Sequence, residues 1–256
     1  MTDQANREAL ERLQRLSTPE HLVVFTGAGV SKESGLDTFR DEDGVWAKDN
    51  PEKYASPAGF RRHPREVWLW YQERRRSAAS AAPNPAHHAI AALERLIPHV
   101  TVVTQNIDGL HQEAGSTHVL ELHGSLRRYK CAQNCRGHPT PVPTPPLDAE
   151  EPTRCPHCGA YTRPDVVWFH EVLPLEVWEE ALEEIYACDA IFVVGTSGLV
   201  EPAASLPGLA KQQGALLVEI NPASTPNTPL ADIVLRGPAG TLMPALLDAL
   251  RGGAQS

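Results

Sequence analysis

No run of apolar residues in this chain approaches the roughly 20 needed to span a bilayer, which argues against a membrane helix. The first eight residues, from Met1 to Glu8, are polar and lack the apolar core of a secretory signal. Cysteine is sparse. Five cysteines in 256 residues do not build a disulfide scaffold, so a reducing, cytoplasmic compartment is expected. Positive charge is also short. Lys and Arg number 23 against 32 Asp and Glu, and the net charge of −9 argues against duplex nucleic acid as a partner. Internal repeats are absent, which excludes a solenoid.

What is present suits one globular unit with a full core. Short β-branched runs end in Gly, Asn or other polar residues: 22–26, 100–104, 190–194, 216–220 and 232–235. Continuous apolar runs of this length suit strands buried on both faces. Helical patterns lie between them, as in 86–97, where Ile90, Leu93 and Ile97 share a face, and in 175–186, 203–213 and 241–250. Leu10, Leu13 and Leu16 predict a further helix packed on the same unit. Alternation of this kind predicts an α/β fold with a doubly wound, Rossmann-like parallel sheet, whose ligands bind at the carboxyl ends of the strands. Two stretches break the alternation. Residues 45–80 read as a helical insert, and 125–165 carry cysteines and a Pro-rich segment, Pro139 to Pro146. They are expected to form a smaller domain, leaving 1–44, 81–124 and 166–256 to the larger one.

Four of the cysteines come in tight pairs, Cys131 with Cys135 and Cys155 with Cys158. Thiolates so spaced close a tetrahedral zinc site. Four thiolates leave no position for water, so such a zinc is structural. His138 and His157 lie close enough in sequence to replace a cysteine. The fifth, Cys188, reads as a small buried hydrophobe.

The first predicted strand runs into Gly27-Ala28-Gly29-Val30-Ser31. Two glycines let backbone approach a diphosphate, although Lys32 stands where the full dinucleotide fingerprint has a third. Further on come Thr38-Phe39-Arg40, Gln105-Asn106-Ile107-Asp108-Gly109, Glu121-Leu122-His123-Gly124, Gly195-Thr196-Ser197 and Glu219-Ile220-Asn221-Pro222. In this order, and over nearly the whole chain, these motifs resemble the sirtuins, NAD-consuming protein-lysine deacylases.

The resemblance implies NAD as co-substrate, held by 27–46 with Phe39 at the nicotinamide, Arg40 near the phosphates and Trp46 close by. Gln105, Asn106, Ile107 and Asp108 would hold the nicotinamide and its ribose. Gly195, Thr196 and Ser197 would meet the diphosphate and adenosine ribose, and Asn221, Pro222, Ala223 and Ala239 the adenosine. His123 would be the general base, a task that suits imidazole, with Asn106 and Asp108 as its catalytic companions. The partners implied are acylated-lysine proteins. Val166, Val167 and Phe169 resemble the segment that pairs with the substrate as a strand; the family usually has Gly where His170 stands.

Tyr71-Gln-Glu-Arg74 resembles the branch that removes succinyl and malonyl groups as well as acetyl. Positions i and i+3 share a helix face, and an Arg fork grips a carboxylate. Ala55 matches a small residue that widens that acyl pocket. Arg75 is nearly as well placed as Arg74, and a solvated basic face would account for both. Three other functions fit parts of the pattern: mono-ADP-ribosyl transfer, a silent NAD-binding or zinc interaction module, and a zinc-ribbon nucleic-acid binder. The last leaves the nucleotide motifs unexplained.

Overall fold

The computed structural model describes residues 2–39 and 44–253. Arg40, expected at the phosphates, lies outside them. Six parallel strands form the main sheet: β1 (His21–Thr26), β2 (His99–Thr104), β3 (Val119–Glu121), β7 (Ala190–Val194), β8 (Leu216–Ile220) and β9 (Ile233–Leu235), in the order β3-β2-β1-β7-β8-β9. The chain winds to one side of β1 through β3, then crosses to β7 on the other. The switch point therefore lies at the carboxyl end of β1, where such sheets bind ligands. Register brings three strand ends level there, with Thr26 opposite Thr104 and Val194.

Both faces of the sheet are covered, which is why its strands read as unbroken apolar runs. Leu22, Val24, Phe192 and Val218 pack with Leu13 of α1 (Thr2–Gln14), Ile90 and Leu93 of α6 (Pro85–Leu93), and Leu246 and Leu250 of α10 (Ala239–Gly253). Val23, Phe25, Ile191 and Leu217 meet Ala181 and Ile185 of α8 (Leu175–Ala187) and Leu206 and Ala210 of α9 (Leu206–Gln212). Each side chain of this size that leaves water completely contributes about 1.5–3 kcal/mol.

A second sheet, order β5-β4-β6, is built from β4 (Gly124–Cys131), β5 (Pro141–Val142) and β6 (Thr162–Val166), all antiparallel. Residues 45–80 form four helices: α2 (Val45–Lys48), α3 (Pro51–Tyr54), α4 (Pro57–Arg62) and α5 (Pro64–Ser80). A third apolar cluster joins them to the small sheet, with Val45, Ala55, Phe60, Trp70 and Tyr71 packed on Leu126, Val166 and Trp168.

Some local readings shift. Leu16 lies beyond the end of α1 and is 40% exposed, so it does not extend the buried face of Leu10 and Leu13. Residues 203–213 divide into a 3-10 turn and α9, with Pro207 in the first turn of the helix, where its missing N–H costs nothing. Strand β3 has three residues, too few for a pattern. The Pro-rich segment docks on α5: the Pro145 and Pro146 carbonyls accept from Arg75, and the Ala149 carbonyl just beyond accepts from Trp68.

Candidate active site

The Gly27–Gly29 turn and the Gly195–Thr196 turn meet backbone to backbone at the switch point. Gly29 N–H donates to the Gly195 carbonyl at 2.8 Å, and a Cβ on Gly29 would stand 2.7 Å from that oxygen. Gly195 itself has φ of +60°. The residues after the turn form a 3-10 helix, Ala28–Ser34. Thr196 is tied from two sides: Gln105 Nε2 donates to its hydroxyl at 2.9 Å and Asn221 Nδ2 to its carbonyl at 2.8 Å. Strands β1, β2, β7 and β8 thus deliver Gly27, Gln105, Thr196 and Asn221 to one place. Pro222 and Ala223 follow on the exposed surface; Ala239 opens α10 and is buried.

Beside this floor lies a cavity of about 180 Å³ whose lining includes Ala28, Ser31, Phe39, Asn106, Ile107 and Asp108. Asn106 and Asp108 are both buried. Ser31 donates to Asp108 Oδ2 at 2.8 Å and Leu110 N–H to Oδ1 at 2.9 Å; Asn106 Nδ2 donates to the Gly27 carbonyl and the Ser31 hydroxyl, both at 3.2 Å. Burial pushes the Asp108 carboxyl above the usual range, against the pull of these donors.

Behind Ser31 stands His87, which sequence reasoning missed. Its Nδ1 accepts from Asn84 N–H, so its proton is on Nε2, 3.4 Å from the Ser31 hydroxyl. One line of donors therefore runs from Asn84 through His87 and Ser31 to Asp108. The ring caps the first turn of α6, a place where Glu or Gln is the usual signal. His111 packs edge-on against His87, 4.9 Å between centroids, and its Nε2 lies 3.0 Å from the Thr26 hydroxyl. Burial holds both rings neutral, His87 down to about 4 and His111 to about 3.

His123 does not line the cavity. It follows β3, half-buried, beside Gln105. Its Nδ1 lies 3.0 Å from the Gln105 carbonyl. A carbonyl only accepts, so Nδ1 carries the proton, and the neutral ring presents Nε2 as a lone-pair acceptor. Burial keeps the ring neutral by lowering its pKa. Gly124 comes next because β6 passes so close: with φ of +76°, an added Cβ would sit 2.0 Å from the Asp165 carbonyl.

The segment after β6 ties these parts together. Val166 pairs with Gly124, Val167 N–H donates to the His123 carbonyl at 2.9 Å, and Phe169 N–H to the Ala55 carbonyl at 2.8 Å. Its shape is set by a fork that sequence reading did not identify. Arg163, 3% exposed, spans both oxygens of Glu171 at 2.7 Å and stacks on Trp168, 3.4 Å from its ring centroid. Burial alone would raise the Glu171 carboxyl, but Arg163 outweighs it and holds it below the usual range. Trp46 joins this aromatic region, stacked on Trp70 and 6.1 Å from Phe169.

Tyr71 and Arg74 part company. The Tyr71 hydroxyl is buried, accepts from Trp168 Nε1 at 2.8 Å and keeps its own proton to donate; burial pushes its pKa up. Arg74 lines the 180 Å³ cavity, whereas Arg75 turns to the Pro145 carbonyl at 2.8 Å.

The four paired cysteines converge at the far end of β4. Their sulfurs all lie within 4.8 Å of one another, Cys131 and Cys158 at 3.6 Å and Cys135 and Cys155 at 3.8 Å. Thiolates about 2.3 Å from a central zinc form a tetrahedron with edges of about 3.8 Å, so the set fits that ion. Among the described residues no histidine joins the cluster. The seven steps from Gly124 to Cys131 separate it from His123 by about 20 Å at strand rise. Cys188 is buried, its thiol pushed up to about 12 by desolvation, with Sγ on the Ile185 carbonyl.

Backbone-lined switch points of this kind hold dinucleotides, and an imidazole fixed in one tautomer beside one is equipped for proton transfer. The class is therefore a dinucleotide-dependent enzyme with a structural metal module. The chain belongs to the Sir2 family, whose model matches residues 27–202. It is 46% identical to NAD-dependent protein deacylase 1 of Archaeoglobus fulgidus, over 93% of this chain and 96% of that protein. Among solved structures, a Sir2 homologue in complex with ADP-ribose superposes with a TM-score of 0.89 at 43% identity, covering 96% of this chain and 97% of the other. A Sir2 homologue in complex with NAD gives 0.85 at 44% identity, over 96% and 93%.

Proposed function

We propose that this chain removes acyl groups from protein lysines at the expense of NAD, releasing nicotinamide, O-acyl-ADP-ribose and free lysine. Its membership of the Sir2 family supports the reaction. The observation that carries the mechanism is the fixed tautomer of His123, whose Nε2 is left as a base. Bound NAD supplies a ribose carbon that the acyl oxygen of the substrate attacks as nicotinamide leaves. The two facing turns, Gly27 to Ser31 and Gly195 to Ser197, would hold its diphosphate, and Asn221 to Ala223 with Ala239 its adenosine. Phe39, Asn106, Ile107 and Asp108 would restrain the leaving group at their end of the 180 Å³ cavity, whose other end Arg74 lines. Gln105 orients His123, and Nε2 takes the proton of a ribose hydroxyl so that the hydroxyl oxygen can attack the acyl carbon; the lysine nitrogen then leaves as the amine, and one water completes O-acyl-ADP-ribose.

The substrate backbone would lie along 166–169 as an added strand, a mode that reads main chain rather than sequence. For the acyl chain, Arg74 is the cation for a succinyl or malonyl terminus, while Ala55 and Tyr71, outside the lining of the cavity that Arg74 enters, would bound the pocket on the side of Trp168. We place the smaller lobe at 45–80 and 125–165, propped by zinc. Among the described residues no helix is long and apolar enough to cross a membrane; a cytoplasmic enzyme acting on proteins, with no nucleic-acid partner, is the reading we adopt.

The test is a panel of acetyl- and succinyl-lysine peptides with and without NAD. Nicotinamide and free lysine should appear together, only with NAD. Label passing from NAD onto protein instead would establish ADP-ribosyl transfer. His123→Ala should cut turnover by about 10²–10⁴ while zinc content and melting temperature hold; a folded variant with near-normal turnover removes the base from the scheme.

A further inference from the structure

The guanidinium of Arg74 is already in use. Its Nη2 lies 2.9 Å from Asp49 Oδ2, which also accepts from Trp70 Nε1 at 2.7 Å. Nη1 donates to the Trp70 carbonyl at 3.1 Å, and the guanidinium carbon lies 3.2 Å from the Trp70 ring centroid. Nε is buried and has no acceptor among the described residues, and Nη1 and Nη2 each keep a second N–H. Asp49 reaches across from the end of α2, held there by its own N–H on the Val45 carbonyl. Arg74 and Asp49 are largely withdrawn from water, with side chains 21% and 29% exposed.

The cavity that Arg74 lines holds no other cation among its lining residues. The remaining charged residues are Asp37, Glu73 and Asp108, all carboxyls. Among the described residues, an acidic acyl group entering this space meets Arg74 as its one cation. Asp49 cancels that charge at hydrogen-bond range and adds repulsion of its own. A neutral acetyl group meets neither effect.

We infer that Asp49 sets acyl selectivity, holding Arg74 in place while weakening the enzyme's grip on acidic acyl chains. The inference rests on the proposed acyl pocket. The second N–H on each Nη is left for an anion, but the charge behind them is already shared with Asp49. Asp49 is thus a brake on desuccinylation, and it leaves room for deacetylation in the same pocket.

The experiment compares kcat/KM for acetyl-, succinyl- and succinamyl-lysine peptides; the last replaces the terminal carboxylate by a neutral amide. Asp49→Asn removes the charge and keeps a side chain able to hold Trp70 and Arg74. The succinyl-to-acetyl ratio should rise about tenfold, mainly through a lower KM for the succinyl peptide. The succinamyl-to-acetyl ratio should stay within about twofold. In an Arg74→Met background the gain should vanish. Asp49→Ser, which also drops the charge, should move the ratio in the same direction, so a folding defect peculiar to Asn does not decide the matter. If Arg74→Met lowers the succinyl ratio while Asp49→Asn leaves it level or lowers it, the brake is refuted and the acidic pocket stands. If neither variant moves the ratio, the pocket reading falls and this inference with it. Equal gains for succinyl and succinamyl peptides would mean a widened pocket, and would overturn the charge argument.

Discussion

His170 departs from the pattern that the chain resembles, which has glycine there, and its backbone gives the reason for the family's choice. Its φ is +70°, the left-handed region that L side chains avoid. An exposed contact from its Nε2 to Glu52 at 3.0 Å is the visible recompense. Exposed pairs contribute little. His170→Gly should therefore be neutral or stabilising by up to about 1 kcal/mol, while the β-branched His170→Val should cost about 1–2 kcal/mol. Urea denaturation measures both; a glycine variant as unstable as the valine would move the cause from backbone to the Glu52 contact. At this scale the sequence was partly readable. His123 could be named from its motif, but its tautomer could not, because the carbonyl of Gln105 that fixes it lies 18 positions away. Asp49 carried no signal either. It matters through Arg74, 25 positions on, and a lone aspartate after a helix is ordinary.

The zinc module shows what an element can owe to a metal. Strand β4 begins beside His123 and ends at Cys131, while β5 has only two residues. So small a sheet has little core of its own, and a structural metal contributes directly to its folding. Metal analysis should find one zinc per chain. Cys135→Ser or strong chelation should remove it, lower the melting temperature by on the order of 10 °C and abolish deacylation, because β4 and β6 position Gly124 and Val166 beside His123. Far-ultraviolet circular dichroism should retain the signal of the large sheet. Zinc-free protein with unchanged melting and turnover would mean that the ion props nothing. Spacing alone picked out the four thiols that the fold brings together, since each pair lies within a few residues in the chain. The Arg163–Glu171 fork was invisible in sequence because neither residue lies in a motif of its own.

Two neutral histidines buried side by side make the whole fold sensitive to acid. His87 and His111 titrate near 4 and 3 when folded, against 6.5 for the free group. Their folded pKa values are depressed, so below 6.5 the unfolded chain takes up protons that the native state refuses. Stability is thus complete above about 6.5 and falls as pH drops toward those folded values. From pH 7 to 5.5 the loss should be about 2–3 kcal/mol. Denaturant midpoints across that interval test it, and His111→Asn should show a shallower slope because one of the two groups is gone. An unchanged slope would clear His111 of the effect.

The sequence by itself determined the kinds of element and the chemistry at hand. Unbroken apolar runs suit a sheet covered on both faces, paired thiols can close a metal site, and glycines mark where a backbone must come close. These are local properties, carried by neighbours within a few residues. Tertiary structure alone decided which groups meet: His87 behind Ser31, Arg163 beneath Trp168, Asp49 on Arg74 and Arg75 turned away to Pro145. Such pairings depend on strand order and on burial, which raises the cost of an unmatched charge far above its cost in water. No pattern along the chain encodes that cost until the fold has removed the solvent.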